Sequence, residues 1–155
     1  LQMALVTATV ANGGIIYHPR LIDRIESSDP NEAEHALRFP KGRQRGQLTD
    51  RTEKLAIIRA AMLSDVADDD GTGMRARIEG YEVCGKTGTA EVKSPRDGNY
   101  KITWFASFAP FKNPRYAVIV LVERGASGGL TCAPAAKKIY RALIERDNKP
   151  GFVRN

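Results

Sequence analysis

Two apolar runs, ITWFASFA (Ile102 to Ala109) and YAVIVLVE (Tyr116 to Glu123), flank the short stretch PFKNPR, and that junction constrains the fold more than any other feature. Pro and Asn in so short a connection favour a tight turn over a crossover helix, so the runs are expected to pair as antiparallel neighbours. YAVIVLVE is apolar on both alternating faces. That predicts a central strand covered on both sides. A third extended stretch, Glu82 to Val92, precedes them.

The covers are also readable. After Gly125 to Gly129 turns the chain, Pro134 suits a first helical position, and Ala136, Ile139, Tyr140 and Leu143 form a stripe. Asp50 and Glu53 resemble a capping box, followed by Leu55, Ile58, Met62 and Val66 at helical spacing, which predicts a helix over Asp50 to Val66 ended by DDDGTG. Leu1 to Val10 puts Met3, Val6, Thr7 and Val10 on one helical face and stops at Asn12-Gly13-Gly14. With no capping residue ahead of it, this helix is expected to continue an element begun upstream. Ile15 to Tyr17 and Leu21 to Ile25 read as short extended pieces, and Glu26 to Leu48 as a surface excursion without sustained periodicity. The predicted fold class is α+β, an antiparallel sheet covered by helices, in a single unit over residues 1–155.

Composition narrows the function classes only a little. The chain has 155 residues, 42% apolar and 27% charged, as ordinary globular domains have. Its longest apolar run falls far short of the roughly 20 residues of a membrane span. The net charge of +6 is scattered. Its densest cluster, Lys41 to Arg45, lacks aromatic residues for base stacking and reads as a solvated loop, so no nucleic-acid partner is expected. Cys84 and Cys132 show no metal-ligand spacing and read as small buried residues; His18 and His35 have no partner pattern.

The chemistry-bearing stretch is GYEVCGKTGTAEV, Gly80 to Val92. Gly80, Gly85, Lys86 and Thr87 fit the phosphate-loop pattern G-x-x-x-x-G-K-[ST]. A phosphate cradle needs a buried strand before it, flexible glycine-rich backbone within it and a helix after it. RARIEG, YEVC and the non-helical run to Ser94-Pro95 contradict each requirement. Read as a strand, the same residues put Cys84, Lys86, Gly88 and Ala90 on one face and Gly85, Thr87, Thr89 and Glu91 on the other. Lys beside Gly at a sheet edge lets a ligand backbone approach and its ammonium attract a carboxylate, which flanking Thr hydroxyls can bond. Taken alone, Lys-Thr-Gly is more commonly an edge strand guarded by a lysine.

The surroundings add a resemblance. GTGMRARIEGYEVCGKTGTAEV, then ITWFASFAPFKNPRYAVIVLVERGASGG, then an Ala/Pro-led helix resemble the C-terminal half of the transpeptidase domain of class B penicillin-binding proteins. LQMALVTATVANGGIIYHPRLI resembles the helix and extension that follow that family's middle motif. The wording is most similar to the elongation-type enzymes called penicillin-binding protein 2.

The resemblance implies a serine-type DD-transpeptidase that cross-links peptidoglycan stem peptides through an acyl-enzyme and is acylated by β-lactams. By that match Lys86 sets the electrostatics of the site, Thr87 and Thr89 contact the substrate carboxylate along the strand through Gly88, and the Thr89 amide is one oxyanion-hole donor. No metal or organic cofactor is implied. The family's S-x-x-K and S-x-N motifs are not in this sequence: no serine is followed by Lys three residues on or by Asn two residues on. The expected partner is therefore an N-terminal part of the domain carrying the nucleophile, and by the same likeness the cell-wall elongation machinery. The implied location is the periplasmic face of the inner membrane, with an anchor outside these residues. A division-type penicillin-binding protein, a β-lactam sensor, a serine β-lactamase and, remotely, a nucleotide-binding module are the alternatives. Phe105 and Trp104 read as core, and Gly128 and Gly129 as turn residues.

Overall fold

The computed structural model describes residues 1–29, 37–48, 52–96 and 98–149. Its centre is a sheet of β5 (Cys84–Ser94), β6 (Gly98–Ala109) and β7 (Tyr116–Glu123), ordered β5-β6-β7 with antiparallel neighbours. The β6–β7 hairpin is the pair that PFKNPR predicts. β5 and β6 form a longer hairpin than expected, in register from Cys84 opposite Phe108 to Ser94 opposite Gly98. The position of YAVIVLVE differs from the sequence reading. Among the described residues it is an edge strand, and the central one is β6, whose Thr103, Phe105, Ser107, Phe108 and Ala109 are buried.

Helices cover both faces of this sheet. On one, α3 (Ala133–Asp147) packs Ala136 and Tyr140 against Phe105 and Ala109, with Val118, Val120 and Val122 of β7 at the margin. Complete burial of a ring such as that of Phe105 stabilises by about 1.5–3 kcal/mol. The Tyr140 hydroxyl donates to Ser107 Oγ at 3.0 Å, and Ser107 donates to the Val118 carbonyl at 2.8 Å, so one buried chain of hydroxyls joins helix and two strands. Burial pushes the Tyr140 phenol well above its usual range. Ile139, assigned to the buried stripe, is exposed at its flank.

On the other face lie α1 (Gln2–Ala11) and α2 (Thr52–Ala67), where Ala11, Cys84 and Phe108 are buried with Met62 and Leu63 beside them. The Arg59 guanidinium sits 5.6 Å from the Phe108 ring centre and 5.4 Å from that of Phe111 and donates to the Phe111 carbonyl, fastening α2 to the β6–β7 turn. In α2, Leu55 and Val66 are buried as predicted, but Ile58 is 45% exposed. The capping residue Asp50 lies outside the described residues. In α1 the buried residues are Thr7, Thr9 and Ala11, whereas Val6 of the predicted apolar face is 56% exposed. Asn12 ends α1 as expected, its Oδ1 accepting from the amides of Gly14 and Ile15, with Gly13 at φ +82°.

The excursion after α1 holds more regular structure than its sequence signalled. β1 (Ile15–Tyr17) pairs with β4 (Gln44–Gln47), and β2 (Arg24–Ile25) with β3 (Leu37–Arg38). Part of the KGRQR cluster is therefore strand, though exposed to solvent as read. Both cysteines are free and buried in different clusters, Cys84 on the α1 side and Cys132 on the α3 side. Among the described residues, no helix is long and apolar enough to cross a membrane.

Candidate functional site

Among the described residues β5 is an edge strand, and its alternation is the one the sequence predicts. Lys86 and Gly88 lie opposite Ala106 and Trp104 on the α1 face; Thr87 and Thr89 lie opposite Phe105 and Thr103 on the α3 face. A Cβ at Gly85 would stand 2.2 Å from the Phe105 ring, so only glycine lets that ring lie beneath the residue before the lysine. The Lys86 ammonium is exposed and donates to the Thr87 carbonyl at 2.8 Å. Next to it, Met3, Val6, Val10, Met62 and Trp104 line an apolar groove of about 360 Å³ between α1 and the sheet. Trp104 is half-buried there, while Phe105 is core as expected.

On the other face, Thr87 and Thr89 open onto a more polar recess of about 340 Å³, bounded by the Gly71–Arg75 turn and the Ser127–Leu130 loop, which opens the π-helical turn Gly128–Cys132 ahead of α3. That loop rests directly on the strands. A Cβ at Gly128 would fall 2.3 Å from the Trp104 carbonyl oxygen, 2.8 Å from that of Gly88 and 2.9 Å from the Gly88 nitrogen. One at Gly129 would meet the Thr72 carbonyl oxygen at 2.3 Å. These glycines therefore do more than turn the chain: they let two backbones meet beside the motif. The Gly128 amide donates to Thr89 Oγ1 at 3.3 Å, and because that oxygen accepts, the Thr89 proton is not used in the bond.

Thr87 has a different environment. Its Oγ1 is 2.6 Å from Thr72 Oγ1, which donates to Asp65 Oδ1 at 2.7 Å. GTG falls within the stretch that carries the resemblance and DDDGTG ends the predicted helix, but the sequence assigns Thr72 and Asp65 no role. The structure brings them to the motif strand through the turn after α2, where the Gly73 amide donates to the Asp65 carbonyl at 2.9 Å. A hydroxyl two residues after a short acidic run was the available signal, and nothing in the spacing said which carboxylate it would meet.

This arrangement offers a free strand edge for an extended peptide, hydroxyl donors for a terminal anion, and an ammonium on the neighbouring face. Comparison with known proteins shows the family. Residues 1–141 match the family described as the penicillin binding protein transpeptidase domain. The chain is 34% identical over 160 residues to penicillin-binding protein PbpB of Mycolicibacterium smegmatis, covering 97% of this chain and 24% of that protein. It is 31% identical to the peptidoglycan D,D-transpeptidase MrdA of Haemophilus influenzae, covering 90% and 22%. The D,D-transpeptidase domain of a peptidoglycan glycosyltransferase from Eggerthella lenta superposes with a TM-score of 0.76 at 30% identity over 94% of this chain and 32% of the other. A ceftriaxone acyl-enzyme complex of penicillin-binding protein A from Mycobacterium tuberculosis superposes at 0.67, with 29% identity over 90% and 31%. These relatives are several times longer than the matched segment. With a family match over residues 1–141 and the same fold in the solved relatives, the chain belongs to the penicillin-binding protein transpeptidase family.

Proposed function

We propose that these residues form the C-terminal part of a peptidoglycan D,D-transpeptidase domain acting at the extracytoplasmic face of the cell membrane. They supply one wall of a site whose serine nucleophile comes from sequence upstream. The observation that carries the reading is the edge strand β5, with Lys86 on one face and the Thr87 and Thr89 hydroxyls on the other beside a polar recess.

In this reading a stem peptide lies along β5 as an added strand, and its terminal carboxylate takes charge-assisted hydrogen bonds from Thr87 and Thr89. The upstream serine oxygen attacks the carbonyl carbon of the penultimate D-Ala. Its proton passes to a neighbouring base, and the carbonyl oxygen becomes an oxyanion that accepts from the Thr89 amide. One such donor contributes on the order of 3 kcal/mol to the transition state. The C–N bond then breaks, terminal D-Ala leaves with a proton, and an amine on a second stem peptide takes the acyl group from the serine. A β-lactam follows the first half, its ring C–N bond opening without a departing group. Lys86 adds positive potential at the wall facing the nucleophile. The apolar groove beside it, bounded by Met3, Val6 and Trp104, is the surface against which the upstream part of the domain packs. The relatives include both MrdA and PbpB proteins; the wording around NPRYAVIVLVE favours an elongation-type enzyme, which would work with the cell-wall elongation machinery.

The test is labelling with a fluorescent penicillin, followed by denaturation and intact-mass measurement. The protein extended upstream through an S-x-x-K serine should carry one label, and the 155 residues alone none. Lys86→Ala in the extended protein should slow labelling at least tenfold with the fold intact. Stoichiometric labelling of the 155 residues, or none of the extended protein, refutes the assignment.

A further inference from the structure

The hydroxyls and charges already described around the Thr87–Thr89 recess are poorly matched to an anion. The Thr72 hydroxyl donates to Asp65 Oδ1 at 2.7 Å, so in its 2.6 Å contact with Thr87 it is the acceptor, and the Thr87 proton points at Thr72 instead of into the recess. Thr89 is better placed, because its oxygen accepts from the Gly128 amide and its own proton remains to be given. Behind Thr72 stands the Asp65 carboxylate, whose charge opposes any anion bound nearby. Lys86 is directed elsewhere: it lies on the opposite face of β5 and donates to the Thr87 carbonyl at 2.8 Å. A carboxylate in this recess therefore needs a cation from the recess side.

Arg75 meets that need. Among the described residues lining the recess it is the only charged one. Its backbone is fixed in the short helical turn Met74–Ala76, where Ala76 is fully buried beside α3 and the amides of Ala76 and Arg77 donate to the carbonyls of Gly73 and Met74 at 2.8 and 3.0 Å. Arg77, two residues on, is committed: it donates to the Val66 carbonyl and, through two nitrogens, to Asp69 Oδ1 at 3.0 and 3.1 Å. The Arg75 side chain is exposed, and among the described residues no hydrogen bond or ion pair holds it. A fixed backbone carrying an uncommitted planar fork, next to a hydroxyl with a proton to give, suits capture of a carboxylate.

We propose that Arg75 is a specificity-determining residue of the acyl-transfer reaction: its guanidinium forks onto the terminal carboxylate of the acyl donor and, with Thr89, selects peptides and β-lactams that carry a free acid. This rests on the reading that the terminal carboxylate enters this recess. Arg75 offsets the charge of Asp65 as the anion arrives, and Thr87 can turn its proton from Thr72 to an anion already held. A donor with an esterified or amidated end loses the charged partner of the fork.

The experiment uses the full-length protein and compares a penicillin carrying its free carboxylate with the methyl ester of the same penicillin, each competing with a fluorescent penicillin to give the second-order acylation constant. Wild type should be acylated faster by the acid, with a lead that shrinks as salt is added. Arg75→Gln keeps the side-chain stem and removes the charge, so the acid should slow about tenfold while the ester and Tm stay unchanged. Arg75→Lys keeps the charge and loses the fork, and its acid rate should fall about threefold. Lys138→Ala removes the same unit of net charge from an exposed position on α3 outside the recess and should keep the wild-type preference. A wild-type acid-to-ester ratio in Arg75→Gln, an equal slowing of acid and ester, or an equal loss in Lys138→Ala overturns the proposal. Those results leave the carboxylate reading standing if wild type prefers the acid. Should wild type itself not distinguish acid from ester, the carboxylate reading fails and the role of Arg75 falls with it.

Discussion

Gly128→Ala separates the loop-on-strand geometry from general stability. The added Cβ would lie 2.3 Å from the Trp104 oxygen and within 2.9 Å of two Gly88 backbone atoms, all fixed by the ladder between β5 and β6. No flexible side chain can give way, so the loop must lift by about 1 Å to restore ordinary contact distances near 3.5 Å. Overpacking of this kind costs about 1–3 kcal/mol, which lowers Tm by roughly 2–10 °C in a domain of this size. The lift also breaks the 3.3 Å bond from the Gly128 amide to Thr89 and shifts the wall of the recess. Misplacement on this scale slows acylation by about 10–100-fold. Gly98→Ala is the matched control. Its φ is +72° with nothing near the added Cβ, so it pays conformational strain of about 1–2 kcal/mol at the far end of the β5–β6 hairpin. Melting curves and stopped-flow acylation of the two variants in the full-length protein should show comparable losses of Tm, with impaired acylation confined to Gly128→Ala. If both acylate alike, the argument that the loop builds the recess is wrong.

Tyr140→Phe should cost about 1 kcal/mol in denaturant unfolding, because it removes the donor to Ser107 while leaving the ring packed. Asp147 accepts from the Tyr116 hydroxyl and pairs with Arg115 at 2.7 Å and Arg146 at 3.3 Å; Tyr116 first, then the arginines, hold its carboxyl below the usual range. A depressed folded-state pKa gives stability that is complete above the unfolded value of about 3.9 and lost as pH falls through the folded one. Asp147→Asn should therefore be less stable at neutral pH and show a shallower loss of Tm below about pH 4 than wild type. Burial pushes the Cys84 thiol up to about 12, and Cys132 is equally enclosed, so at pH 8 neither should react with a thiol reagent until denaturant is added. Rapid modification of the native chain at either cysteine would contradict the packing on that face.

What could be read from the sequence, and what could not, follows from where each interaction is recorded. The β6–β7 pairing was legible because turn chemistry and two apolar runs are both local. The choice of central strand was not. YAVIVLVE is apolar on both faces because helices lie over each, α3 against Val118, Val120 and Val122 and α1 on the opposite side. The true centre, β6, looked less apolar because Thr103 and Ser107 interrupt it. Both are buried, their hydroxyls donating to the carbonyls of Val122 at 3.0 Å and Val118 at 2.8 Å, so their polarity is used within the sheet instead of facing water. A buried hydroxyl with a backbone acceptor on the next strand costs little, and sequence alone shows the hydroxyl without the acceptor. The site divides in the same way. Lys86, Thr87, Gly88 and Thr89 could be singled out as candidates because they are contiguous and alternate on one strand. Thr72, fifteen residues from Thr87, and the glycines of the Ser127–Leu130 loop were not, because their roles exist only once turn and loop close on that strand. A motif strand thus names the chemistry, while the parts that aim its hydroxyls come from elements that carry no motif. Substitution at Gly128 should accordingly tune acylation while Lys86-Thr87-Gly88-Thr89 stays intact.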